Sequence, residues 1–459
     1  MRHRTAALRC LLVCSAVACT DAPTRPPEAA GPSLQRATAE RAGPTDRHIV
    51  ALAPGRGSAA ARAAVAALGG SVVRTHEAIG VLVTRGLSDA AAHRLAAAPD
   101  VMAVTRAVRQ RMIPPTDQPA GMPRRLARRQ TDQRGAFFFP QFQWNMRVIE
   151  ADDAWLVTNQ GAGALVCILD SGIDPTHLDL AGRVELGLSR SFVPSEPDIF
   201  DRNFHGTFVS AIVTSNGIAV ASVAPDARLC ALKVLDQTGS GSFDGVIAAI
   251  LYAADVGADV ANMSLGAYVP RQDPGVRALR LALERAAVYA WQRGTLLVAS
   301  AGNSGVNLND DGQNAHFPSE INHVISVGAT GPVNQQNFDR LASYSNYGKQ
   351  GVDLFAPGGD FVPGTVLQDL IVSACSSFIE PCSSSNDWYV FGAGTSASAP
   401  HVTGAAAVVE SELPGDQNAA RLSHCLLVSA DPIAGPGRDP VFGKGRLNVL
   451  GAAECRRLE

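Results

Sequence analysis

Ser396 stands in Gly394-Thr395-Ser396-Ala397-Ser398-Ala399-Pro400, a run of small residues ahead of the apolar stretch Ala405 to Val409. Small neighbours let a substrate approach, and the helix that the apolar stretch predicts offers N–H donors and a positive dipole end. Serine is too weak a nucleophile alone, so it needs a general base, and the base needs an acid to orient it. His205 opens His205-Gly206-Thr207-Phe208-Val209-Ser210, and Asp170 ends the apolar run Val166-Cys167-Ile168-Leu169. Acid, histidine, serine is one of the known chain orders of an acyl-transfer triad. Taken singly, each residue has a plain structural reading, as a turn or helix cap.

The elements that must carry these residues come in alternation. Continuous apolar runs at 164–169, 228–235, 258–263, 295–300 and 323–328 predict strands, and 243–256 and 276–293 predict helices between them. Such runs indicate a parallel sheet covered on both faces, whose sites lie at the carboxyl ends of the strands. Asp170, Asn262 and Asn303 all follow predicted strands. The motifs DSGID at 170–174, HGT at 205–207, NMSLG at 262–266, SAGN at 300–303, APG at 356–358, GTSASAP at 394–400 and GKGRLNV at 443–449 resemble those of subtilisin-like serine proteases, in that family's order. The resemblance covers roughly residues 143 to 453. It implies a subtilisin-like α/β domain over 143–459 that hydrolyses peptide bonds, with Asp170, His205 and Ser396 as the triad and Asn303 as an oxyanion donor. It further implies that Ser264, Leu265 and Gly266 bind peptide as an added strand. Ala299, Ala301 and Gly302 would wall the pocket for the residue before the cut, with His316 at its floor.

Ahead of this domain, residues 47–112 predict strand, helix, two strands, helix and strand, with Ser88 as a helix N-cap and Gly69-Gly70 as a helix stop. The order βαββαβ suits a small α+β ferredoxin-like sandwich. Placed before a subtilisin-like domain, it resembles the inhibitory propeptide of that family; an unrelated α+β module is the plainer alternative. Residues 20–46 are rich in Pro, Ala, Thr and Arg and predict a linker. A second linker is expected over 113–142, where Arg124-Arg125 and Arg128-Arg129 are candidate sites of maturation or a solvated charge run.

Residues 1–19 carry the marks of an export signal: Arg2, His3 and Arg4, an apolar stretch to Ala18, and Cys19 where a lipid-modified cysteine would stand. The expectation is an extracytoplasmic, bacterial protein, secreted or lipid-anchored through Cys19. The six later cysteines agree with an oxidising compartment. Cys375 with Cys382 and Cys425 with Cys455 are candidate pairs, while Cys167 and Cys230 lie in apolar runs and suit small buried hydrophobes.

A net charge of −3 gives no basis for nucleic-acid binding, and no other segment has the ~20 apolar residues of a membrane span. The expected partners are a peptide or protein substrate and the chain's own propeptide, and a monomer is expected. The chemistry needs no cofactor. Structural calcium stays open: the loop before Ala224-Pro225 offers only Ser215 and Asn216, and Asn307, Asn309 and Asp311 resemble half a calcium loop, but Pro318 stands where a distal glutamate would. Broad hydrolysis, narrow processing of one substrate, and a catalytically inactive binding domain are the three readings the sequence admits.

Overall fold

A computed structural model describes residues 41–113, 120–125, 133–412 and 418–455. The export-signal reading of 1–19, Cys19 included, and Arg128-Arg129 lie outside the described residues.

The N-terminal body has the order β1 (Arg41–Leu52), α1 (Ala59–Ala67), β2 (Ser71–His76), β3 (Val81–Arg85), α2 (Asp89–Ala96) and β4 (Val101–Arg111). Its strands pair antiparallel in the order β2-β3-β1-β4. Val50, Leu52, Val65, Leu82, Leu87 and Leu95 form its own small core under the two helices. Ser88 caps α2 by accepting from the Ala91 N–H at 3.2 Å. β1 begins at Arg41, earlier than the expected linker boundary, because Arg41, Gly43 and Pro44 pair with the far end of β4.

The chain then forms β5 (Ala120–Arg125), three short helices α3 (Phe139–Phe142), α4 (Trp144–Val148) and α5 (Ala151–Ala154), and the strand β6 (Leu165–Asp170). Next come β7 (Arg190–Ser191), α6 (His205–Val213), β8 (Arg228–Lys233), β9 (Ser240–Ser242), α7 (Phe243–Asp255), β10 (Val260–Met263), β11 (Ala267–Pro270), α8 (Val276–Gln292) and β12 (Leu296–Ser300). The remainder is β13 (Asn314–Phe317), β14 (Val324–Thr330), β15 (Leu354–Pro357), β16 (Ile371–Ala374), β17 (Trp388–Gly392), α9 (Thr395–Ser411), α10 (Ala419–Val428) and α11 (Val449–Glu454).

Seven parallel strands make the main sheet, in the order β15-β14-β12-β10-β6-β8-β7. From β6 the chain passes first to β8 on one side and later to β10 on the other. The ends of β6 therefore lie at a switch of strand order, where clefts form at the carboxyl edge. Helix α9 is buried along its whole length, which its small residues permit, and it belongs to the core cluster on one sheet face. Helices α7 and α8 belong to the cluster on the other face.

Two expectations are corrected here. Residues 133–142 are not linker: Phe138, Phe139 and Phe142 are buried in the main core, and Phe138 packs edge-on against Tyr389 and Phe391. Arg124 and Arg125 lie in β5, which pairs with β17. An aromatic run finds more stabilisation in a core than in solvent. Cys167 and Cys230 are disulfide-bonded rather than free, because β6 and β8 place them directly opposite, with Cα atoms 4.5 Å apart. Cys375–Cys382 and Cys425–Cys455 are also joined.

The two bodies share structure. β4 continues past its own sheet to pair with β9, Arg109 opposite Ser242 and Arg111 opposite Ser240. Ile49, Ile79, Val81 and Ala107 join Val276, Leu279 and Leu283 of α8 in one core cluster. No helix among the described residues is long and apolar enough to cross a membrane.

Candidate active site

Asp170 ends β6 and is fully buried, and its carboxylate faces the ring of His205 at the start of α6. His205 Nδ1 lies 2.9 and 3.0 Å from the two Asp170 oxygens. A carboxylate only accepts, so Nδ1 carries the hydrogen and Nε2 is left as the basic nitrogen. The loops bearing the two residues touch so closely that a Cβ on Gly206 would lie 2.0 Å from the Gly172 carbonyl. Glycine at both places, Gly172 with a φ of +114°, is the condition for this approach.

A residue not singled out from sequence holds these loops together. The buried carboxylate of Asp201 accepts from the N–H groups of Asn203, Phe204 and Thr207, from the Thr207 hydroxyl at 2.7 Å and from the Ser171 hydroxyl at 2.9 Å. Ser171 in turn accepts from the Gly206 N–H at 3.0 Å. Asp201 thus caps α6 and ties it to the residue after Asp170, while Phe204 is held at a φ of +92°, a strained value for a non-glycine. An acid four residues ahead of a predicted helix was the available signal. Buried Lys233, the register partner of Asp170, braces the same loops through its ammonium, bonded to the Ser171 and Phe200 carbonyls and paired with Glu196 at 2.9 Å.

Ser396 sits in the first turn of α9, where backbone N–H groups lack intrahelical partners. The Ser264 hydroxyl donates to the Ser396 carbonyl at 2.8 Å. Asn303 follows β12, and its side-chain oxygen accepts from the Thr395 N–H at 2.9 Å and the Thr395 hydroxyl at 2.6 Å. The Thr395 hydroxyl also accepts from the Gly302 N–H at 3.1 Å. Thr395 therefore fixes which end of the Asn303 amide faces α9. Asn346, also not anticipated, clasps the same loop: its amide donates to the Ala301 carbonyl at 2.7 Å and accepts from the N–H groups of Ser304 and Val306.

Of the expected substrate-binding residues, Gly266 donates its N–H to the Met112 carbonyl at 3.1 Å, and the Met112 and Ile113 N–H groups donate to Gly239 at 2.9 and 3.3 Å. The end of the N-terminal body thus lies as an added strand between Gly239 and Gly266. Leu265 is buried beside it. Ala299 is one step too deep to line a pocket: it is buried inside β12, paired with Met263 and Ser326. Ala301 and Gly302 stand at the strand's open end, and His316 lies against Gly302. Burial lowers the His316 pKa to about 4, so its ring is neutral.

The calcium expectation at Asn307, Asn309 and Asp311 fits poorly. Their side-chain oxygens accept from the backbone N–H groups of Asn309, Gln350, Gln313 and Asn314, as in ordinary turns. Among the described residues no cluster of three or more His, Cys, Asp or Glu side chains is arranged to hold a metal. The short loop before Pro225 is organised instead by Asp179, whose buried carboxylate accepts from the N–H groups of Ile218, Ala219 and Val220, the Ser215 hydroxyl and the Tyr389 hydroxyl. Burial and this carboxylate push the Tyr389 pKa well above its ordinary value, so the phenol keeps its proton.

The sequence profile of the subtilase family matches residues 161–445. A thermophilic serine proteinase of Bacillus sp. (strain AK1) is 35% identical over 318 residues, covering 69% of this chain and 68% of the relative. Thermitase of Thermoactinomyces vulgaris is 33% identical over 320 residues, covering 69% and 98%. Among solved structures, an epidermin leader peptide processing serine protease from Staphylococcus aureus superposes with a TM-score of 0.72 over 90% of this chain and 99% of its own, at 22% identity. A lanthipeptide protease gives 0.60 over 69% and 95%, at 28% identity. A profile that spans most of the chain, and a relative a third identical along nearly its whole length, make this protein a member of the subtilase family, a serine-type endopeptidase.

Proposed function

We propose that the chain is the self-inhibited precursor of an exported endopeptidase in which Ser396, His205 and Asp170 act as a triad. Ser396 Oγ attacks the carbonyl carbon of the scissile bond while His205 Nε2 takes its proton. The resulting oxyanion accepts from the Ser396 N–H and the Asn303 amide. As the C–N bond breaks, His205 passes the proton to the departing amine and leaves an ester on Ser396. Water, deprotonated by His205, then releases the acid. Asp170 holds the ring and offsets the imidazolium charge. The observation that carries this reading is the buried two-oxygen contact of Asp170 with His205 Nδ1.

Self-inhibition rests on Met112 and Ile113, which occupy the backbone positions between Gly239 and Gly266 that an extended substrate would need. Export is supported by the three disulfides, which persist in oxidising compartments. A narrow processing role is the second reading, favoured by the Cys375–Cys382 closure ahead of β17 and by the likeness to a leader peptide processing protease and a lanthipeptide protease.

The test is Ser396→Ala with an active-site serine probe: the unaltered protein is labelled and cuts peptides, and the variant does neither. Maturation of the purified variant at the normal rate would refute self-cleavage, and labelling of the variant would refute the nucleophile.

A further inference from the structure

Beside Ser396 the main sheet comes apart. β10 and β12 pair only as far as Met263 opposite Ala299. Beyond that, Gly266 turns its N–H to Met112, and Ala301 turns its own to the Val327 carbonyl at 2.9 Å. A slot opens between 264–266 and 300–302. It adjoins Ser396, because Ser264 bonds the Ser396 carbonyl and Gly302 bonds the Thr395 hydroxyl. In an extended peptide, side chains two residues apart share a face. A substrate residue paired with Gly266, as Met112 is, therefore puts the residue two positions on beside Ser264, with its side chain at this slot. That is the residue whose carbonyl Ser396 attacks.

The slot is already filled from behind. His316 lies in β13, opposite Tyr268 of β11, so the two side chains share a face. A Cβ on Gly266 would lie 2.5 and 2.7 Å from His316 Cε1 and Nε2, and one on Gly302 would lie 2.8 Å from the same Nε2. One ring edge thus touches both walls. The ring has no retreat: it packs on Tyr268 at a centroid distance of 4.7 Å, and the Tyr268 hydroxyl is held by Asn346 Nδ2 at 2.6 Å. The Ser319 hydroxyl lies 2.8 Å from His316 Nδ1 and 3.3 Å from the His316 carbonyl. It holds the ring at Nδ1, and Nε2 faces the slot.

We propose that His316 closes this pocket, so that the residue preceding the cut is glycine, alanine or serine, with a serine hydroxyl within reach of Nε2. The inference rests on the catalytic reading above. It identifies the substrate class as peptides cut after a small residue, and it makes long apolar or basic side chains at that position a steric conflict with a braced ring.

The experiment is a series of peptides identical except at the residue before the cut, with kcat/KM measured on the matured protein alongside serine-probe labelling. Alanine or serine should exceed leucine, phenylalanine and lysine by about 100-fold or more, the scale on which a pocket rejects side chains that do not fit. His316→Gly should raise the phenylalanine-to-alanine ratio by roughly tenfold or more by reopening the slot. Labelling together with cleavage after leucine, phenylalanine or lysine at rates close to those after alanine would overturn the pocket and leave the triad standing. An unchanged ratio in a folded His316→Gly or His316→Ala protein would overturn it as well. If both variants misfold, the profile of the unaltered protein decides. Absence of both labelling and cleavage would overturn the catalytic reading and this inference with it.

Discussion

Arg285 reaches from α8 into the N-terminal body, and its removal should loosen the proposed inhibitor measurably. Its guanidinium donates to the carbonyls of Leu52 at 2.9 Å, Ile79 at 3.2 Å and Gly80 at 3.2 Å. These carbonyls lie where β1 ends and where the turn before β3 closes. The Gly80 carbonyl also accepts from the Leu52 N–H at 2.8 Å, so it keeps a partner when Arg285 is gone. The other two lose a charged donor at a half-covered interface. At about 1 kcal/mol net for each of these, plus lost packing of the Arg285 stem, Arg285→Ala should cost about 2–3 kcal/mol, or roughly 30- to 150-fold in affinity. The assay adds residues 41–113 as a separate chain to the matured protein and measures the inhibition constant for each form. These Arg285 bonds go to the N-terminal body, so peptide turnover without inhibitor is the control for folding. An inhibition constant within about threefold of the unaltered protein would refute the assignment of Arg285 as a main grip, since hot-spot residues cost more than that.

Acid should destabilise the fold. Burial lowers the pKa of both His316 and His401 to about 4, and His401 is locked neutral by the Ala397 carbonyl at Nδ1 and the Asn145 amide at Nε2. Between about pH 6.5 and 4 the unfolded chain binds protons that the folded one refuses, so stability is full above that window and falls through it, by up to about 3 kcal/mol per histidine. A thermal midpoint flat from pH 7 to pH 4.5 would contradict this. Mild peroxide should leave most activity intact, because Met146 and Met263 are both fully buried and Ala397 beside Ser396 has no sulfur. Ala397→Met should introduce peroxide sensitivity, and oxygen found on Met263 by mass spectrometry after rapid inactivation would point elsewhere.

The repeating parts of the fold were legible in the sequence. The runs at 164–169 and 258–263 became Leu165–Asp170 and Val260–Met263, and the helix expected at 276–293 became Val276–Gln292. Buried strands show as short continuous apolar runs and amphipathic helices by their period. What the sequence hid was pairing between distant segments. β4 runs on to Arg111 because β9 lies beside it, and Cys167 meets Cys230 because β6 and β8 are neighbours. The proposed site residues Asp170, His205, Asn303 and Ser396 stand out by motif. Of the side chains that hold them, Thr395 opens α9, while Asp201 and Asn346 lie in loops, where a single polar residue has no period and its partners are far along the chain.

The sheet that β4 and β9 complete has a consequence for timing. In the proposed precursor the inhibitor is tethered, so its effective concentration at the cleft is set by the chain and is indifferent to dilution. A cut between the N-terminal body and the catalytic domain would change that connectivity while leaving the pairing of β4 with β9 in place. From then on, escape is a bimolecular equilibrium. The cleaved complex would stay shut where molecules are crowded, at the place of synthesis or export, and open as they disperse.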